Sequence, residues 1–123
     1  MSKYKKILLV DDDETSNFLN ELLIKGMDLV EEVSVASNGQ EALEHLKNSD
    51  NTVPQIIFLD LNMPVMDGFE FLEAYEDTRE IEVPVFILTS SNNFKDYERA
   101  KKFNVAGYLI KPLTEEKIKD VLK

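Results

Sequence analysis

The chain contains no cysteine. That excludes disulfides, thiolate metal sites and cysteine nucleophiles, and it agrees with a reducing compartment. It has one histidine, His45, which falls among polar positions of a helical stretch and reads as exposed surface. Basic side chains are the minority, 14 against 24 acidic, for a net charge of -10. That balance disfavours direct binding of nucleic acid or of an anionic membrane by this chain alone. No apolar run approaches membrane-spanning length. The opening Met1-Ser2-Lys3-Tyr4-Lys5-Lys6 is basic but precedes only a short apolar run, so it is not a signal peptide. No internal repeat, low-complexity tract or linker interrupts the sequence. The 123 residues suit one domain with one sizeable core, and the expected location is cytoplasmic.

What is present is a regular alternation of short apolar runs and amphipathic stretches, five of each. Strands are expected at Lys6–Val10, Val33–Ala36, Gln55–Leu59, Val85–Thr89 and Gly107–Ile110. Most are rich in Ile, Val, Leu or Phe, as strands buried on both faces are. Val33–Ala36 is the least apolar and belongs nearer an edge. Between them, Glu14–Lys25 reads as a helix carrying Phe18, Leu19, Leu22 and Leu23 on one inward face, stopped by Gly26. Ser37 or Asn38 can cap a helix to Lys47 that turns Ala42, Leu43 and Leu46 inward. Asp67 can cap a helix through Glu76 that buries some of Phe69, Phe71, Leu72 and Tyr75. Phe94–Asn104 places Phe94, Tyr97, Ala100 and Phe103 near one helical face, and Thr114 can cap a short last helix running to Lys123. The polar loop Asn48–Pro54 is expected to be mobile. Regular β-α alternation implies an α/β fold: a parallel sheet with right-handed crossovers and helices on both faces.

In such a sheet the strands all point one way, and the residues just past their C-terminal ends gather along one edge, where open α/β sheets bind ligands. Asp11 and Asp12 follow the first strand, Asp60 the third, and Lys111 the fifth, while Thr89 ends the fourth. Carboxylates at this density repel one another unless a cation or hydrogen bonds compensate. Hard oxygen donors suit Mg2+. A lysine and a hydroxyl beside them suit a phosphoryl group, whose transfer is governed by positioning and charge neutralisation. An aspartate can itself be the nucleophile and form an aspartyl phosphate.

These residues resemble the response-regulator receiver domain of two-component signalling. The matching pieces are Asp11-Asp12, the segment Asp60-Leu61-Asn62-Met63-Pro64-Val65-Met66-Asp67-Gly68, Thr89-Ser90, and Tyr108 with Lys111-Pro112. They span nearly the whole chain and each sits at a strand end. The resemblance implies a five-stranded parallel, doubly wound (βα)5 flavodoxin-like sheet in strand order 2-1-3-4-5. It implies that Asp60 accepts the phosphoryl group. Asp12 would bind Mg2+ directly, with Mn2+ able to replace it, Asp11 would hold a metal-bound water, and Asn62 would add its backbone carbonyl. Lys111 would bridge Asp60 and the phosphoryl group, and Thr89 would hydrogen-bond a phosphoryl oxygen. Tyr108 would turn inward as Thr89 moves, altering the surface built from helix 94–104, the Tyr108 strand and the last helix. The Lys111-Pro112 bond would be cis. Asp67 and Gly68 would serve as turn and helix start. Asn62 and Ser91 stand where the family tunes phosphoryl lifetime, and Asp13 is an extra acid that can cap the first helix. Implied partners are a histidine kinase or histidine phosphotransfer protein and a downstream protein target. A monomer is expected, with phosphorylation-dependent dimerisation as the other outcome. Residues 1–123 are expected to form one receiver domain with no effector domain on the chain, acting as a switch and catalysing only its own phosphorylation and slow dephosphorylation.

Each feature alone has an ordinary structural explanation. Three aspartates make a solvated turn and helix cap, Lys-Pro is a common loop dipeptide, Thr89 suits a strand, and Tyr108 suits a half-buried strand position. Nothing near His45 would tune it for phosphotransfer. Two other functions fit parts of the chain. Val10-Asp11-Asp12-Asp13-Glu14-Thr15 also reads as the Asp-x-Asp-x-Thr start of a haloacid-dehalogenase-type phosphatase with Asp11 as nucleophile. That family usually needs a later acidic pair for the metal, and beyond Lys111 only Glu115, Glu116 and Asp120 remain, inside a helix. A flavodoxin-like flavin carrier would need a hydroxyl- and glycine-rich phosphate loop where this chain is acidic. A receiver that signals by binding alone is the remaining alternative.

Overall fold

The structure, a computed structural model, describes residues 4–47, 54–61, 68–78, 83–89, 94–103, 105–111 and 113–122. Asn62, Asp67, Ser91 and Pro112, the loop residues 48–53 and the side chains of Phe94 and Tyr97 lie outside the described residues. The strands are β1 (Tyr4–Val10), β2 (Val30–Ala36), β3 (Ile56–Asp60), β4 (Val85–Thr89) and β5 (Gly107–Ile110). The helices are α1 (Glu14–Gly26), α2 (Gly39–Lys47), α3 (Gly68–Thr78), α4 (Phe94–Ala100) and α5 (Glu115–Val121). All strand pairs are parallel, in the order β2-β1-β3-β4-β5.

The apolar runs of β1 and β3 are continuous because both of their faces are covered. Leu8 and Val10, with Ile57 and Leu59, face a core shared with Ala42 and Leu43 of α2 and Phe71, Leu72 and Tyr75 of α3. Ile7 and Leu9, with Ile56 and Phe58, face the other core, closed by Ile24 of α1 and Ile118 of α5. The two-residue period of a strand assigns alternate side chains to the two layers. Tyr75 also fixes α3 to the start of β4, since the Val83 N–H donates to its hydroxyl at 2.6 Å. Arg99 of α4 lies over the Phe69 ring at 3.9 Å, a cation–π contact between α3 and α4.

The helix starts follow local chemistry. Asp13 caps α1, accepting from the Thr15 and Ser16 N–H groups. Asn38 accepts from Glu41 N–H at 2.9 Å and so satisfies a first-turn donor of α2, while the Glu41 carboxylate accepts from Ser37 N–H at 3.0 Å and holds the chain entering the helix. Thr114 caps α5 through Lys117 N–H.

The structure departs from the sequence expectations in several places. α1 turns the other way: Phe18 is 62%, Leu19 56% and Leu22 54% exposed, while Asn17 and Ile24 are buried and Leu23 only partly so. The chain had more apolar residues on this helix than one stripe could bury, and tertiary contacts chose the other stripe. His45 is half-buried rather than exposed, with Nδ1 buried and without a partner among the described residues. β2 begins three residues earlier than expected, with Glu31 and Glu32 exposed, while its edge position is the expected one. Charge on an edge strand limits pairing with other chains. α4 ends at Ala100, and a turn carries the chain to the half-buried Phe103. Among the described residues no helix is long and apolar enough to cross a membrane.

Candidate functional site

The chain leaves β1 toward β2 on one side and β3 lies on the other. This reversal of direction opens a crevice at the C-terminal ends of β1 and β3. Asp11 extends β1 by one residue, its N–H donating to Ala36 carbonyl at 3.0 Å. Asp60 is the last residue of β3. Both are buried, at 3% and 6% exposure, whereas Asp12 is exposed. One carboxylate oxygen from each of Asp11, Asp12 and Asp60 lies within 4.8 Å of the others.

The opposite wall comes from β4 and β5. Thr89 ends β4 and is fully buried. Lys111 follows β5, and its N–H donates to the Thr89 carbonyl at 2.7 Å. Its ammonium donates to Asp11 Oδ2 at 2.7 Å and stands 3.8 Å from Asp60 Oδ2. The resemblance predicted a bridge to Asp60. The geometry gives Asp60 an ion pair and gives Asp11 the hydrogen bond. Burial alone would lower the Lys111 pKa. The hydrogen bond to Asp11 and the charges of Asp60, Asp11 and Asp13 outweigh it and hold Lys111 above the ordinary lysine value of 10.5. The lysine is therefore a fixed positive charge.

Oxygen donors alone, three carboxylates converging, form a set that fits a hard divalent cation such as Mg2+ or Mn2+. Asp11 is further held by the Asp13 N–H, which donates to its Oδ1 at 3.0 Å. Tyr108, on β5 next to the site, is half-buried and packs against the α2–α3 side of the core. Gly68 opens α3 directly behind Asp60: a Cβ there would lie 2.7 Å from the Asp60 carbonyl oxygen and 2.8 Å from Leu61 Cα. The site needs a glycine at that point for backbone-to-backbone approach.

Sequence reasoning passed over one residue. Asn17, on the inward side of α1, is 5% exposed and its Nδ2 donates to the Asp11 carbonyl at 2.8 Å. Its spacing of seven from the buried Ile24 was the available signal, masked by the three larger apolar residues nearby.

Comparison with known proteins agrees with this geometry. The family model for the response regulator receiver domain matches residues 7–123. The chain is 32% identical over 121 residues to the chemotaxis protein CheY of Halobacterium salinarum, covering 96% of this chain and 93% of that one. A two-component response regulator from Cytophaga hutchinsonii superposes with a TM-score of 0.87 at 30% identity, covering 97% and 94% of the two chains. The Mn2+-bound form of the response regulator Rcp1 superposes with a TM-score of 0.79 at 28% identity, covering 96% and 88%. Some relatives are longer, and the chain spans about half of one of them, a probable C4-dicarboxylate response regulator. Strand order, strand-end acids and the family match over residues 7–123 agree: the chain belongs to the response regulator receiver domain family.

Proposed function

We propose that this receiver domain is a switch phosphorylated on Asp60. The observation that carries the reading is the convergence of Asp11, Asp12 and Asp60 within 4.8 Å, with the Lys111 ammonium beside them. The donor is the phosphohistidine of a histidine kinase or phosphotransfer protein. An Asp60 oxygen attacks phosphorus, the phosphorus–nitrogen bond breaks, and the imidazole leaves with its electron pair, producing an aspartyl phosphate. Asp11 and Asp12, with Asp60, would hold Mg2+ or Mn2+, and the backbone carbonyl of Asn62 is the fourth protein oxygen we assign. A bound divalent cation would supply charge neutralisation for the transferring phosphoryl oxygens. Lys111 supplies a second, permanent positive charge and restrains the orientation of the carboxylates.

The output side follows from Thr89 and Tyr108. An added phosphoryl group brings charge and acceptor oxygens to Asp60. The Thr89 hydroxyl moves toward them, and the Tyr108 ring fills the space it leaves. The α4-β5-α5 surface then differs between two states and selects a downstream protein. In this reading the domain is cytoplasmic and turns over no external substrate beyond its own phosphorylation and hydrolysis.

The test is intact-mass spectrometry after incubation with Mg2+ and acetyl phosphate, beside Asp60→Asn. A Mg2+-dependent gain of one phosphoryl group, lost in the variant, is the expected result. A gain that survives in Asp60→Asn refutes the assignment and moves the acceptor to another residue, with Asp11 the first to examine. Absence of both a mass gain and a Mg2+-dependent response to beryllofluoride would leave a domain that signals by binding alone.

A further inference from the structure

We infer that Asn17 is a positioning residue for the cation site, acting through the main chain of Asp11; the inference rests on the metal reading above. Asn17 is the fourth residue of α1 and stands on the helix side that faces the sheet. An apolar side chain would serve stability better at such a position, because a buried amide costs free energy for every polar atom left unpaired. Asn17 is satisfied at one end only. Its Nδ2 donates to the Asp11 carbonyl at 2.8 Å, while Oδ1 is buried without a partner among the described residues. Packing alone does not account for a half-satisfied amide. A role at the turn it touches does.

The two aspartates of the turn are held differently. The Asp11 carboxylate is gripped on both oxygens, by Asp13 N–H at 3.0 Å and by Lys111 at 2.7 Å. The Asp12 carboxylate is exposed and has no hydrogen bond or ion pair among the described residues. Its position therefore depends on the main chain that carries it. The Asp11 carbonyl belongs to the same planar unit as the Asp12 N–H, so the Asn17 hydrogen bond sets the tilt of the peptide from which Asp12 projects. The Asn17 N–H in turn donates to the Asp13 carbonyl at 3.0 Å, the first backbone bond of α1, so the same residue is fixed by the helix at its main chain and reaches the end of the Asp11 turn with its side chain. Without the Nδ2 contact, that peptide can rock and Asp12 samples positions too far from Asp60 to share a cation. Partners that orient metal ligands in this way are worth about 10–100-fold in metal affinity.

The experiment is a calorimetric titration with Mg2+ alone on the parent, Asn17→Leu and Asn17→Ser, with urea unfolding in EDTA as the companion measurement. Leucine keeps the branched shape and removes both polar atoms, at the cost of a larger volume, and serine is too short to reach the Asp11 carbonyl. A Mg2+ dissociation constant raised about 10-fold in both folded variants is expected. It should appear in acetyl phosphate kinetics as a higher half-saturating Mg2+ concentration, with the rate at saturating Mg2+ largely retained. Unchanged Mg2+ affinity in a folded variant overturns the inference and leaves the metal reading standing. A parent that binds no Mg2+ overturns the metal reading and the inference with it. If neither variant folds, the parent decides by NMR. The Asn17 side-chain amide protons should shift in step with the Asp12 backbone amide as Mg2+ is added, and an unmoved Asn17 pair overturns the inference.

Discussion

Replacing Asp12 with asparagine should make the metal-free protein more stable, not less. In the folded chain an Asp12 oxygen stands within 4.8 Å of Asp60. At that distance two like charges repel by about 0.9 kcal/mol in water and about 3.5 kcal/mol at the effective dielectric of a protein surface. Asp12 is exposed, so the lower part of this range applies. The repulsion between Asp11 and Asp12 contributes less to the difference, because sequence neighbours remain close when the chain unfolds. Attraction to the Lys111 ammonium, whose hydrogen bond goes to Asp11, offsets part of the gain. A net stabilisation of about 1 kcal/mol remains, near 4 °C in melting temperature for a chain of this length. The assay is urea unfolding in EDTA at low salt, repeated in high salt and in Mg2+. High salt should shrink the difference. Mg2+ should reverse it, because a ligand at a hundred times its dissociation constant stabilises the parent by about 2.7 kcal/mol and the variant by much less. An Asp12→Asn variant that is less stable than the parent in EDTA would refute the claim that this site stores electrostatic repulsion. Asp11→Asn should gain less, since it also weakens the acceptors for Lys111 and Asp13 N–H.

Other perturbations separate site from scaffold. Gly68→Ala drives a Cβ against the Asp60 carbonyl and Leu61 and should cost about 1–3 kcal/mol while slowing phosphorylation by acetyl phosphate. Gly26→Ala meets nothing within 4 Å and should stabilise by about 0.4–1 kcal/mol in the same urea assay. Phe71→Ala, at a fully buried ring, should cost about 3–5 kcal/mol, whereas Phe18→Ala, 62% exposed, should stay within about 0.5 kcal/mol. Lys111→Met should lower stability at neutral pH by leaving buried carboxylates without their cation. The folded-state pKa of Lys111 is raised above 10.5, so its contribution is complete below the unfolded value and is lost as pH rises through the folded one. The gap between parent and variant in urea midpoint should therefore be flat through neutral pH and close only above 10.5.

The legible parts of this chain were those governed by contiguous sequence. A strand covered on both faces shows as an unbroken apolar run, and the parallel sheet delivers whatever follows each run to one edge. Asp11, Asp60, Thr89 and Lys111 are therefore grouped by the sequence alone. β2 was only partly legible because an edge strand tolerates Glu31 and Glu32 exposed on it, and a rule that searches for apolar runs starts too late, at Val33. α1 shows a different limit. Phe18, Leu19, Leu22 and Leu23 outnumber the apolar residues of the opposite side, so hydrophobic periodicity favours burying them. The helix is phased instead by three specific contacts: the Asp13 cap, the Asn17 bond to Asp11, and Ile24 entering the α5 side of the core. Periodicity states which stripe would gain most from burial. It does not state which stripe the loop before the helix can deliver to the sheet. Here that loop carries the acidic turn, and the Asp11 carbonyl of that turn accepts from Asn17 beneath it. The rotation that satisfies Asp11 is the same rotation that leaves Phe18 and Leu22 facing water. The phase of the helix goes with these non-local contacts, so the local hydrophobic pattern could not predict it.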